Sequence, residues 1–112
     1  MELAFETKPL RRLCEEEIYA INELGPSVSE KLKHRLADLR AASTIGELIA
    51  GNPRIVESKN LSQMKVDLCN GYYILFCANH VNNPMTEIQT IDWSRIKRIK
   101  IIRIECNNDL YT

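Results

Sequence analysis

Residues 64–78 read MKVDLCNGYYILFCA, and this stretch decides the fold. Met64, Val66 and Leu68 alternate with Gln63, Lys65 and Asp67, the pattern of a half-buried strand. Asn70-Gly71 follows, the strongest short signal for a two-residue hairpin. Tyr72 to Ala78 is a continuous apolar run, which predicts a central strand covered on both faces.

Downstream, His80 to Ile91 reads as a polar loop, and Asp92-Trp93-Ser94 as the cap of a single turn. Arg98 to Glu105 is the closing strand; its apolar set slips from Ile99 and Ile101 to Ile102 and Ile104, which predicts a bulge or two-sided burial. Upstream, Arg54 to Ser58 is a strand preceded by the Gly51-Asn52-Pro53 break. Thr44 to Glu47 has capping-box form and predicts a short helix over about 45–50. Before it, Val28, Leu32, Leu36 and Leu39 mark one helix. Leu10, Leu13, Cys14, Ile18, Ile21 and Leu24 mark another, capped by Thr7 and stopped by Gly25-Pro26. Glu2 to Glu6 is a short first strand. The order β-αα(α)-ββββ is that of an α+β domain, a helical hairpin packed on a mostly antiparallel sheet.

The 112 residues suit one domain over 1–112. Charged residues are 27% and hydrophobic ones 45%, which excludes disordered and low-complexity classes. The net charge is zero but unevenly spread: residues 1–30 net −4, 31–59 net +3 and 60–112 net +1. The neutral sum argues against a strongly basic nucleic-acid binder, whereas the distribution leaves room for a local basic surface. The four cysteines show no metal-ligand spacing, so no metal or other cofactor is expected. Neither a signal-peptide pattern nor a membrane-length apolar run is present, which points to the cytoplasm.

Nucleotide-binding, zinc-protease and serine-hydrolase motifs are absent. Glu17 and Arg35 both project into the apolar arcs of their helices, about level across the turn, which predicts a facing, semi-buried ion pair. His34 projects to solvent beside Asp38, whereas His80 closes the central strand where sites are commonly mounted. Arg95, Lys97, Arg98, Lys100 and Arg103, with Arg54 and Lys59 upstream, could line an anion-binding surface, and Tyr72, Tyr73 and Tyr111 could add stacking planes. The plain alternative is a polar sheet face and a lysine- and arginine-protected edge.

The stretch KLKHRLADLRAAS (31–43), the turn ESKN (57–60), the paired strands 64–69 and 72–78, and the segment IDWSRIKRIKIIRIE (91–105) together resemble HigB-type toxins of the RelE/ParE superfamily, the killer or killer-suppression subgroup. The resemblance implies a RelE/ParE-like fold and a cognate antitoxin with a helix-turn-helix domain. Active RelE-like members cut messenger RNA on the ribosome without metal, through attack of a substrate 2′-hydroxyl on the adjacent phosphate. That reaction needs cations on the phosphate and a group that moves protons. By the resemblance, Lys59 occupies the lysine of the family's Leu-Lys-Gly turn, and Tyr111 approximates its C-terminal aromatic. The assigned catalytic set is Lys59, His80, Arg98 and Tyr111; the assigned RNA-binding set is Arg54, Tyr73, Lys97 and Lys100. This sequence departs from the pattern at Asn60, at Tyr73 where the family has arginine, and in a tail lacking the terminal histidine. Two readings stay open: an mRNA endoribonuclease, and a non-catalytic interaction protein on the same fold that binds an antitoxin or poisons a protein such as gyrase.

Overall fold

The computed structural model describes residues 1–58 and 61–106. Its elements run β1 (Glu2–Phe5), α1 (Lys8–Glu15), α2 (Glu17–Leu24), α3 (Pro26–Ala41), a 3₁₀ turn (Ile45–Glu47), β2 (Arg54–Ser58), β3 (Leu61–Asp67), β4 (Tyr72–Ala78), a second 3₁₀ turn (Trp93–Arg95) and β5 (Arg98–Cys106). The α+β class is as the sequence predicts. The sheet order is β1-β5-β4-β3-β2, with β1 parallel to β5 and the other pairs antiparallel.

The hairpin forms at Asn70-Gly71, both with positive φ (55° and 80°), and Tyr72 N–H donates to Cys69 O at 3.0 Å. Positive φ at both central residues is what a type I′ turn requires. Strand β4 is central, and Ile74, Leu75 and Phe76 are all buried. In β5 the pairing passes from Leu75–Arg103 to Phe76–Ile101, so Ile102 is the extra residue of a bulge. The bulge turns Ile104 to the same side as Ile99 and Ile101 and leaves Arg98, Lys100, Arg103 and Glu105 on the other. One sheet face therefore packs Met64, Val66, Ile74, Phe76, Ile99 and Ile101 against Val28, Leu32, Leu36 and Leu39 of α3. Each such large aliphatic contributes roughly 1.5–3 kcal/mol on burial. Trp93 joins this core edge-on to Phe76, with ring centroids 6.3 Å apart.

Three expectations need correction. The first helix is not continuous: Glu16 is extended (φ −110°, ψ 106°), ending α1 and starting α2. Leu10 and Cys14 of α1 still meet the core, but after the break the inward residues are Ala20 and Leu24. Ile18 and Ile21 are consequently exposed, at 75% and 38%. The same rotation removes the expected Glu17–Arg35 pair. Glu17 instead stands at the solvent-facing start of α2, 4.0 Å from Lys33, while Arg35 points to Asp38 and to the Asp67 carbonyl. The segment after Ser43 is a three-residue 3₁₀ turn, shorter than the helix expected over 45–50, and the Glu47 carboxylate accepts from Ser43 N–H with no side-chain cap from Thr44. His34 is exposed as expected, and its Nε2 lies 3.1 Å from the Glu30 carboxylate on the preceding turn.

Candidate functional site

Because α3 covers one face of the sheet, the alternate residues of β2 to β5 form a second face on which no described helix lies. Cross-strand register orders it in rows. One row runs Arg54, Lys65, Leu75, Arg103. The next, toward the hairpin, runs Asp67, Tyr73, Glu105. Leu75 is buried although it lies outside the helix-covered core. Its cross-strand neighbours in the row are Lys65 and Arg103, residue types whose aliphatic stems cover apolar neighbours.

The polar groups of this face are interlocked. Arg54 Nη2 lies 3.0 Å from Asp67 Oδ1, and Nη1 donates to Asn52 O at 3.0 Å. Lys65 Nζ sits 4.0 Å from the centre of the Tyr73 ring, and the Tyr73 hydroxyl donates to Glu105 Oε1 at 2.6 Å. A depression of about 380 Å³ lies here, lined by Arg54, Lys65, Asp67, Tyr73 and the hairpin residues. Toward the other end of β5, Arg98 pairs with Glu2 and Lys100 with Glu6, each at 3.0 Å. The hydrogen bond and charge of Glu6 hold the Lys100 ammonium above its usual range. Arg103 is exposed and makes no ion pair among the described residues.

No family model, curated protein or solved structure matches this chain.

The structure gathers only part of the assigned set. Arg54, Tyr73, Lys100 and Arg98 share the open face, but Arg54 and Arg98 are not neighbours. Three strand spacings and five residues along β5 separate their backbones by roughly 20 Å. Lys97 lies just before β5, and its N–H donates to His80 Nε2 at 3.0 Å. His80 thereby joins the end of β4 to the start of β5, and its Nε2 lone pair is engaged. In this geometry His80 ties the two strand ends together. Lys59 and Tyr111 lie outside the described residues. The described residues thus offer a patterned face of cations and one tyrosine, interlocked with the carboxylates of Asp67 and Glu105.

Lys65 is the member of this face that the sequence pattern alone does not single out; Arg103 was already among the expected cations. Lys65 was visible as a polar position alternating with Met64 and Val66, but its place beside Arg54 depends on register. A second recess, about 180 Å³, lies between α1, α2 and α3 and is floored by Leu13, Cys14, Leu32 and Leu36. Burial pushes the Cys14 thiol up to about 12, so this recess presents no reactive thiolate. Among the described residues no cluster of histidine, cysteine or carboxylate is placed to hold a metal, and no helix is long and apolar enough to cross a membrane.

Proposed function

We propose that the protein is the toxin component of a type II toxin–antitoxin module, of the HigB type within the RelE/ParE superfamily, and that its open sheet face meets RNA. The observation that carries this reading is the division of the sheet. The helices take one face, while Arg54, Lys65, Lys100, Arg98 and Arg103 stand on the other, where Arg54 and Lys65 line a depression of about 380 Å³. The element order, with a helical layer between β1 and a strand meander, supports the same family reading. The partners it implies are a helix-turn-helix antitoxin, with the ribosome and messenger RNA as the target.

The second reading, a non-catalytic interaction protein that binds an antitoxin or poisons a protein target, is favoured by two features. His80 Nε2 is already bonded to the Lys97 amide, and most cations of the face are matched to carboxylates. The two readings separate on induced expression without an antitoxin, followed by mapping of RNA 5′ ends. Growth arrest with new 5′ ends, abolished by Arg98→Ala or Lys59→Ala, is the result expected of the endoribonuclease. Growth arrest with intact transcripts rejects cleavage and selects the interaction protein. No arrest at all, with the chain expressed and folded, refutes the toxin reading.

A further inference from the structure

We infer that Arg35, on the helix-covered side of the sheet, is a positioning residue for Arg54 on the open face. Arg35 projects from α3 with only 17% of its side chain exposed. Its Nε donates to Asp67 O at 3.3 Å, and Asp38 Oδ2, 3.5 Å from Nη1, holds the guanidinium from the other side. Asp67 N–H in turn donates to Gly51 O at 2.7 Å. The junction is so close that a Cβ on Gly51 would lie 2.8 Å from Arg35 Nε. Arg35 therefore packs against both chains of the junction, the end of β3 and the loop before β2.

Both anchors of Arg54 leave from that junction. Asn52 O, one residue after Gly51, accepts from Nη1, and the Asp67 carboxylate accepts from Nη2. Asn52 itself is held at φ 51°, a conformation that a loosened loop would not keep. A free arginine loses rotamer freedom when it grips an anion; one already fixed loses less and binds tighter. Arg35 supplies that fixation from the far side of the sheet without touching the bound group.

The inference rests on the reading of the open face as RNA-facing, and the experiment keeps the two apart. Binding of a fluorescein-labelled single-stranded RNA is followed by anisotropy across a salt series for the full chain and for Arg54→Ala, Arg35→Met and the double variant. Arg54→Ala is expected to weaken binding about tenfold and to lower the salt slope by about one. Arg35→Met is expected to weaken it about threefold in the presence of Arg54, and not at all in the Arg54→Ala background. A purely structural arginine would instead cost the same in both backgrounds, and that result overturns the inference. So does an Arg35→Met variant that binds like wild type while Arg54→Ala weakens. Failure of wild type to bind, or of Arg54→Ala to weaken it, rejects the RNA-facing reading itself and the inference with it. Should Arg35→Met not fold, Arg35→Lys, which keeps the charge but not the fork of donors, takes its place in the same cycle.

Discussion

Gly51→Ala is the substitution for which the structure gives the sharpest expectation. Gly51 has φ +86°, where a side chain costs roughly 1–2 kcal/mol. The added Cβ would also stand 2.5 Å from Val66 Cγ1, 2.8 Å from Arg35 Nε and 3.1 Å from Asp67 O. Val66 is fully buried, so it has nowhere to retreat, and overpacking of this kind costs about 1–3 kcal/mol. The two contributions together place the loss at about 2–5 kcal/mol. Urea unfolding followed by fluorescence of the single tryptophan, Trp93, reads the loss directly, because that ring is buried against Phe76. Gly46→Ala is the control: its Cβ meets nothing nearer than 3.5 Å and its φ is ordinary, so it should be neutral or up to about 1 kcal/mol stabilising. In a Val66→Ala background the cost of Gly51→Ala should shrink by about 1 kcal/mol, since the nearest clashing atom is gone. A loss below about 1 kcal/mol, or one unchanged by Val66→Ala, would refute the packing argument.

Arg35→Ala should cost about 1–3 kcal/mol in urea unfolding, by leaving the Asp67 carbonyl without its charged donor, whereas Glu17→Ala should change stability by less than about 0.5 kcal/mol. Asp92 is held below its ordinary 3.8 by hydrogen bonds from Ser94 and then Arg95, so its contribution is present above 3.8 and lost as pH falls through the lower folded value. The advantage of wild type over Asp92→Asn in urea midpoint should therefore disappear in acid, and an advantage that persists there would contradict the assignment. With its thiol pushed up to about 12 by burial, Cys14 should resist iodoacetamide in the native protein at mildly alkaline pH and react once the chain is unfolded, as peptide mapping will read.

What was legible in the sequence was whatever short-range pattern dictates. Asn70-Gly71 fixed the hairpin, the unbroken run to Ala78 placed β4 at the centre, and the slip after Ile101 left a bulge or two-sided burial open, of which the structure has the bulge, at Ile102. The break at Glu16 was not legible, because neither glycine nor proline marks it; it arises where α1 and α2 each turn their own residues to the core. The break turns Ile18 and Ile21 outward and takes Glu17 away from Arg35, while Leu24 still meets the core. The candidate face shows the same division. The sequence exposes its cations, but which of them stand together is a property of register. Arg54 and Lys65 are eleven positions apart in the chain and opposite one another in the sheet, with Arg103 two strands further on.

The zero net charge has a local counterpart on this face, where Asp67, Glu2 and Glu6 stand beside Arg54, Arg98 and Lys100. Arg54 and Asp67 form a pair with side chains 40% and 44% exposed, a setting in which ion pairs are worth about 0.2–1 kcal/mol. A phosphate can displace a partner held that weakly, so on the proposed RNA-facing reading Asp67 moderates binding and does not forbid it. Asp67→Asn separates its two effects. The amide oxygen can still accept from Arg54 Nη2, which preserves the anchor, while the competing negative charge is gone. The variant should bind single-stranded RNA up to about fivefold more tightly at low ionic strength, the conversion of about 1 kcal/mol. The gain should shrink as salt screens the exposed pair. Weaker binding by Asp67→Asn would mean that its charge, and not merely its hydrogen bond, is what holds Arg54 in place. A gain insensitive to salt would mean that electrostatic competition is not the cause.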